Sequence, residues 1–212
     1  IGLGAIDDFE LNKGINENET NQDQIQRNNY ILGYLPVTTQ WNYAIGANWT
    51  HFSNNSFQNF IFSRNHLNNR SLKYKDNIET NENLIQDYLS QEVENKFRFE
   101  NTIRENGWKI NFGTGLEYAT YTNKTFQKII YQNNLDTVDV NSKLELFKAS
   151  VFGQISKKLF KDKLITSFGI RTDLNTYSKE MSNPLEQLSP RLSIAYAIDD
   201  KSSINFNIGR YF

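Results

Sequence analysis

Residues 93–105, "VENKFRFENTIRE", put Val93, Phe97, Phe99 and Ile103 on one side of an extended chain and Glu94, Lys96, Arg98 and Glu100 on the other. Successive side chains of a strand point to opposite faces, so this stretch predicts a strand with one greasy and one charged face. Asn106-Gly107 follows, the strongest short hairpin signal, and then "WKINFGTGLEYATYT". There Trp108, Ile110, Phe112, Leu116 and Tyr118 oppose Lys109, Asn111, Gly113, Gly115 and Glu117. Register is stringent in such a pair. A slip of one residue would turn all four charges of the first strand to the greasy side.

The pattern recurs along the chain. "QWNYAIGANWTHFS" aligns Trp41, Tyr43, Ile45, Ala47 and Trp49, and a turn at Asn54-Asn55-Ser56 leads to "FQNFIFSRNHL". "LFKASVFGQISKKL" turns at Phe160-Lys161-Asp162 into "LITSFGIRTDLNTY", where Leu164, Phe168, Ile170 and Leu174 oppose Ser167, Gly169, Arg171 and Asp173. The first member of that pair has an irregular register, because Leu146 and Phe152 fall opposite Phe147, Val151 and Ile155. The last pair flanks Asp199-Asp200-Lys201, with Leu192, Ile194 and Tyr196 before it and Ile204, Phe206 and Ile208 after it. Four hairpins, about 40–66, 93–122, 144–174 and 188–212, therefore give an all-β antiparallel chain of about eight long strands. Residues 1–39 read as weakly structured or as an entering strand, with a strand-like stretch at Tyr30–Leu35.

Within hairpins the turns are short, whereas the links at about 67–92, 123–143 and 175–187 are long and polar. Short turns on one side and long loops on the other is the rhythm of a transmembrane β-barrel. Strands of about 11–14 residues also exceed the usual globular length and can cross a bilayer at a tilt. A soluble antiparallel sandwich shows the same alternation. Strand length, loop asymmetry and the charge on the polar faces favour the barrel, with the charged sides turned to a wet lumen. Trp41, Trp108, Tyr118, Tyr121, Tyr177 and Tyr211 fall near strand ends, where interfacial aromatics belong.

Composition narrows the function classes. With 23 Lys and Arg against 24 Asp and Glu there is no basic excess to recruit nucleic acid. The lack of cysteine removes disulfides, thiolate metal sites and cysteine nucleophiles. No apolar run is long enough for a membrane-crossing helix, and Ile1–Ile6 have neither an initiator Met nor a signal-peptide pattern. The chain thus reads as a mature or cut-out piece.

Several stretches resemble the barrel region of TonB-dependent outer-membrane receptors of Bacteroides-type bacteria. They are "IGLGAIDDFELNK", "YLPVTTQWNYAIGANWTHF", "SRNHLNNRSLKY", "NGWKINFGTGLEYATYTN", "FGIRTDLNTYSKEMSNPLEQLSPR" and "SPRLSIAYAIDDKSSINFNIGRYF". The resemblance implies a segment of a nutrient importer in the Gram-negative outer membrane, in contact with its lipid. Such a receptor couples to the TonB energy complex through a plug domain, which this chain lacks. It takes a small ligand: a siderophore, haem, cobalamin, a glycan or a peptide. The barrels of this family have about 22 strands, so Phe212 reads as a cut through a larger barrel. A complete small barrel acting as a passive pore or in adhesion is the alternative, and a soluble β-sandwich binding module is a third.

No enzyme, cofactor or resident metal is expected. His51 and His66 have no second ligand at metal spacing, and "GTG" at 113–115 precedes no helix. "DTVDVN" offers Asp136, Asp139 and Asn141 to calcium in an external loop, without the glycine and closing glutamate of an EF-hand. Lumen-facing candidates for ligand contact are Arg98, Glu100, Glu117, Arg171, Asp173 and Arg191. For each of them, ion pairing within the barrel wall is the competing reading.

Overall fold

The computed structural model describes residues 1–131 and 134–211; Phe212, read above as a cut, lies outside them. Nine strands form one antiparallel sheet in chain order: β1 (Gly2–Phe9), β2 (Val37–Phe52), β3 (Ser56–Tyr74), β4 (Leu84–Glu105), β5 (Trp108–Tyr131), β6 (Asn134–Leu159), β7 (Leu164–Asn175), β8 (Leu188–Ala197) and β9 (Ser203–Gly209). One helix, α1 (Gln22–Tyr34), lies between β1 and β2. Each strand pairs only with its neighbours in the chain, so β1 and β9 are the edges of an open sheet rather than a closing pair. A sandwich needs two stacked sheets and a small barrel needs a closed one; this is a section of a larger wall.

Turn chemistry sets the hairpins. Asn106 and Gly107 have φ of 49° and 76°, the left-handed pair that a type I′ turn requires. Phe160, Lys161 and Asp162 all adopt positive φ without a glycine. In the last turn the Lys201 backbone N–H donates to Asp199 Oδ1 at 2.8 Å, which holds that carboxyl below its ordinary range.

The register also tilts the wall. Arg104 N donates to Asn55 O, Lys158 N to Gly107 O and Ala197 N to Lys163 O, while the next turns open two residues further along, at Asn106, Phe160 and Asp199. A slip of two residues per hairpin is one residue, about 3.3 Å, per strand spacing of about 4.8 Å. That corresponds to a tilt of roughly 35°, as in membrane barrels. Trp108 to Tyr118 spans ten residue steps. At that tilt it covers roughly 27 Å of height, close to the apolar band of an outer-membrane barrel, about 25 Å.

The two faces are packed inversely to a soluble protein. The face carrying Trp49, Phe62, Phe168 and Phe206 leaves each of these rings more than half exposed. The opposite, polar face carries the tightly covered positions: Ala119 at 0%, Ser189 at 3% and Thr102 at 4% exposure. Side chains crowd on the concave side of a curved sheet, so the polar face is concave and the greasy face convex. The accessible surface totals 15373 Å². A soluble monomer of 24.8 kDa exposes roughly 10,200 Å².

The irregular register of β6 has a packing origin. Phe152 and Leu146 are on the concave face because their partners are Gly113 and Ala119. A large ring lies over a residue with no side chain. A Cβ at Gly113 would run into the carbonyl oxygen of Phe99 and lie 2.8 Å from the Phe152 ring.

Residues 1–39 contribute an entering strand, Gly2–Phe9, which pairs with β2 and brings the strands to nine. Two expectations are corrected. Tyr30–Leu35, read as strand-like, is the last turn of helix α1 and its C-cap Leu35; Asn21 caps the other end by accepting from Asp23 N and Gln24 N, and the helix ends before Pro36. Much of 67–92 and 123–143, read as loop, is strand: β3 runs on to Tyr74 and β5 pairs with β6 out to Tyr131 and Asn134. Above the apolar band both faces of these strands are wet, so no greasy face remains for alternation to reveal. The backbone ladder continues on β-favouring Thr, Val and Ile.

The β1–β2 connection is tied down at this rim. Lys73 Nζ donates to the carbonyls of Leu32 and Leu35 at 2.7 and 2.9 Å and to Asn77 Oδ1 at 2.9 Å. Its charge caps the C-terminal end of α1, where the helix dipole is negative. Lys73→Met is expected to free this connection, so that limited proteolysis cuts within 10–36 at least several-fold faster while the strands stay resistant; unchanged cutting would show that Lys73 is not the clamp. Gly113→Ala is expected to lower folded-state stability by about 1–3 kcal/mol, read as an earlier urea midpoint and a smaller heat-modifiable fraction on gels.

Candidate functional site

The concave face of β4 to β8 holds all six candidates. Arg98 and Glu100 on β4, Glu117 on β5, Arg171 and Asp173 on β7 and Arg191 on β8 share one side-chain phase through the register from Ser189 across to Asn59. They line two adjoining grooves. One, about 280 Å³, has Gly115 and Ser150 beneath and Lys96, Arg98, Glu117, Lys148, Arg171 and Asp173 around it. The other, about 160 Å³, is bounded by Arg98, Glu100, Arg171 and Arg191 with Asn111 and Gln154. Arg98 and Arg171 belong to both.

Ion pairs run both along and across the strands here. Tyr121 Oη donates to Glu94 at 2.9 Å, Glu94 pairs with Lys96 at 2.7 Å, and Glu117 bridges Lys96 and Lys148 at 3.6 and 2.6 Å. Arg98 pairs with Glu100. Arg171 grips Asp173 through two hydrogen bonds of 2.6 Å each, Nε to Oδ2 and Nη2 to Oδ1. The Arg191 guanidinium lies 4.6 Å from the centre of the Tyr211 ring. Each of these charges thus has a protein partner, so the cations, which outnumber the carboxylates around both grooves, are in part neutralised. Such an arrangement suits reversible polar contacts with something passing over it.

Lys148, Ser150 and Gln154 were not singled out from the sequence, because the register of β6 was obscured by Phe152 and Leu146. The parity of Lys148, Ser150 and Gln154 with these two is the signal that would have found them. Tyr121 and Tyr211 are corrected: both are on the concave side, on Glu94 and Arg191, rather than at a lipid interface. Trp41, Tyr43 and Tyr118 are on the convex face beside the end of the apolar band. The placement of "DTVDVN" in an external loop is corrected as well. Asp136 and Asp139 fall in β6 at opposite parity and so project to opposite faces. Among the described residues no three His, Asp or Glu side chains form a metal-binding group.

The family model "TonB dependent receptor-like, beta-barrel" matches residues 3–212. A single tilted sheet with a greasy convex face and a polar concave one is the wall of an outer-membrane barrel, and the chain belongs to the TonB-dependent receptor β-barrel family. Members of this family are transporters of the Gram-negative outer membrane. No curated protein matches the chain.

The side chains of this network are partly solvated, so the ion pairs are screened. A double-mutant cycle on Glu117 and Lys148 is expected to give a coupling of about 0.2–1 kcal/mol that shrinks in about 1 M salt. A larger, salt-insensitive coupling would mean that the pair is desolvated in the intact wall.

Proposed function

We propose that this chain forms part of the barrel wall of a receptor that imports a scarce nutrient with energy from the TonB complex, in a Bacteroides-type bacterium. The ligand is a siderophore, haem, cobalamin, a glycan or a peptide, captured among the loops on the long-loop side. The TonB complex acts through a plug domain seated within the barrel. The concave face with Arg98, Glu100, Glu117, Arg171, Asp173 and Arg191 is the surface against which plug and ligand move.

The observation that carries this reading is the pair of grooves sharing Arg98 and Arg171, on the polar face of a family-matched barrel wall. Self-paired charges bind moderately and release quickly, because each can return to its own partner. A tight, single-sign site would hold a polar ligand in transit. The complete small pore has no support in the sheet, whose two edge strands are far apart in its order.

Uptake of labelled ferric siderophore, haem, cobalamin, oligosaccharide and peptide, compared in cells with and without this gene, is expected to drop for one class. The same drop is expected when TonB is deleted. The double charge reversal Glu117→Lys with Asp173→Lys is expected to slow that uptake several-fold while cell-surface binding of the ligand is kept. Uptake that survives loss of TonB would replace this reading with passive diffusion.

A further inference from the structure

Arg70, on the convex phase of β3 above the apolar band, holds Asp87 at 3.2 Å. On the concave side Arg98 and Arg171 each hold a carboxylate. Arg64 is on the convex side, in the cross-strand row Ile45, Arg64, Asn95, Tyr118. Among the described residues no carboxylate lies within ion-pair distance of it. Its Nε donates to Tyr43 Oη at 2.9 Å and its Nη1 to Asn95 Oδ1 at 2.7 Å. Both partners are neutral and belong to the strands on either side, so the guanidinium is braced across three strands without being neutralised. Nη2 has no protein acceptor among the described residues.

Its height on the wall gives the missing partner a chemistry. Phe60 and Phe62 precede Arg64 on the convex phase of β3, and His66 follows it. Trp41 and Tyr43 meet the His66 ring at 4.7 and 5.6 Å, and Tyr118 lies in the same row as Arg64. The side chain therefore sits where the apolar band ends and the aromatic girdle begins, on the long-loop side. An arginine facing lipid is costly at the midplane and tolerated at headgroup level. The anion found at that level is a phosphate, which a guanidinium binds by charge-assisted hydrogen bonds.

We propose that Arg64, braced by Tyr43 and Asn95, is a binding site for the phosphate of an outer-leaflet lipid headgroup. The proposal rests on the reading of the convex face as the lipid-facing side of a barrel wall. It adds a fixed lipid to the receptor, held next to the strands that carry the clamped β1–β2 connection.

The test uses the protein extracted from membranes into dodecyl maltoside, with phosphatidic acid added as the probe and retention counted by native mass spectrometry. The wild type is expected to retain one phosphatidic acid, with half-saturation at least about tenfold lower than for Arg64→Gln. Arg64→Lys is expected to fall between them, because a point charge loses the fork geometry. Lys201→Gln, in a turn at the opposite rim, is expected to match the wild type. Diacylglycerol, with the same tails and no phosphate, is expected not to be retained. Equal retention by wild type and Arg64→Gln would overturn the site, as would equal retention of diacylglycerol. Displacement of the lipid by millimolar inorganic phosphate would overturn the lipid source and leave a free-anion site. Heat-modifiable gel mobility, read on the same samples, separates the two levels. Its presence with failed retention sinks the lipid site alone, and its absence in the wild type sinks the barrel reading as well.

Discussion

A backbone in hydrocarbon has no water to satisfy its N–H and C=O groups, so every one of them must be paired by the protein. The strand ladders follow from that constraint. From β3 to β6 each strand is paired with the one before or after it over nearly its whole length, and the turns between β4 and β5 and between β6 and β7 use left-handed residues to reverse the chain with little unpaired backbone. The slip of about one residue per strand then sets the tilt. The tilt in turn matches ten residue steps of β5 to the thickness of the apolar layer.

Once the backbone is paired, the faces decide everything else. Lipid requires no close packing from the convex side chains, so Trp49, Phe62 and Phe206 stay more than half exposed, and Trp49 and Phe62 touch rings of their own face, Phe60 and Phe97. The concave face has to fit itself. Its curvature brings side chains together, and large residues survive there only opposite small ones: Phe152 over Gly113, Leu146 over Ala119. Charges survive there by pairing along a strand, as Arg98 with Glu100 and Arg171 with Asp173, or across strands, as Glu117 with Lys96 and Lys148. The grooves are a product of this geometry, because Gly115 and Ser150 leave room between neighbouring ion pairs.

At the long-loop rim the constraint relaxes. Strands continue beyond the apolar band with water on both sides, and α1 folds over the rim because its last carbonyls find the Lys73 ammonium. Asn28, almost fully buried, is held by Gln24 and Asn16, so the polar connection is ordered by side-chain amides in place of a greasy core. Ligand capture belongs to this layer in the reading advanced above, while passage belongs to the concave wall below it.

What the sequence determined by itself was whatever is enforced by a difference between the two faces. Period-two alternation marked the strands from 40 to 66 and from 93 to 122, and Asn106-Gly107 marked a turn, because burial against lipid and positive φ leave local signatures. The shared face of Arg98, Glu100, Glu117, Arg171, Asp173 and Arg191 was legible for the same reason. Tertiary structure alone decided which charges meet, since Glu117 reaches both Lys96 and Lys148 only through a register that spans three strands. It alone decided that Tyr121 and Tyr211 turn inward, that residues 123–131 extend a strand, and that Tyr30–Tyr34 is helical. At those positions the solvent is the same on both sides or the partner is distant in the chain, so no local pattern distinguishes the outcomes.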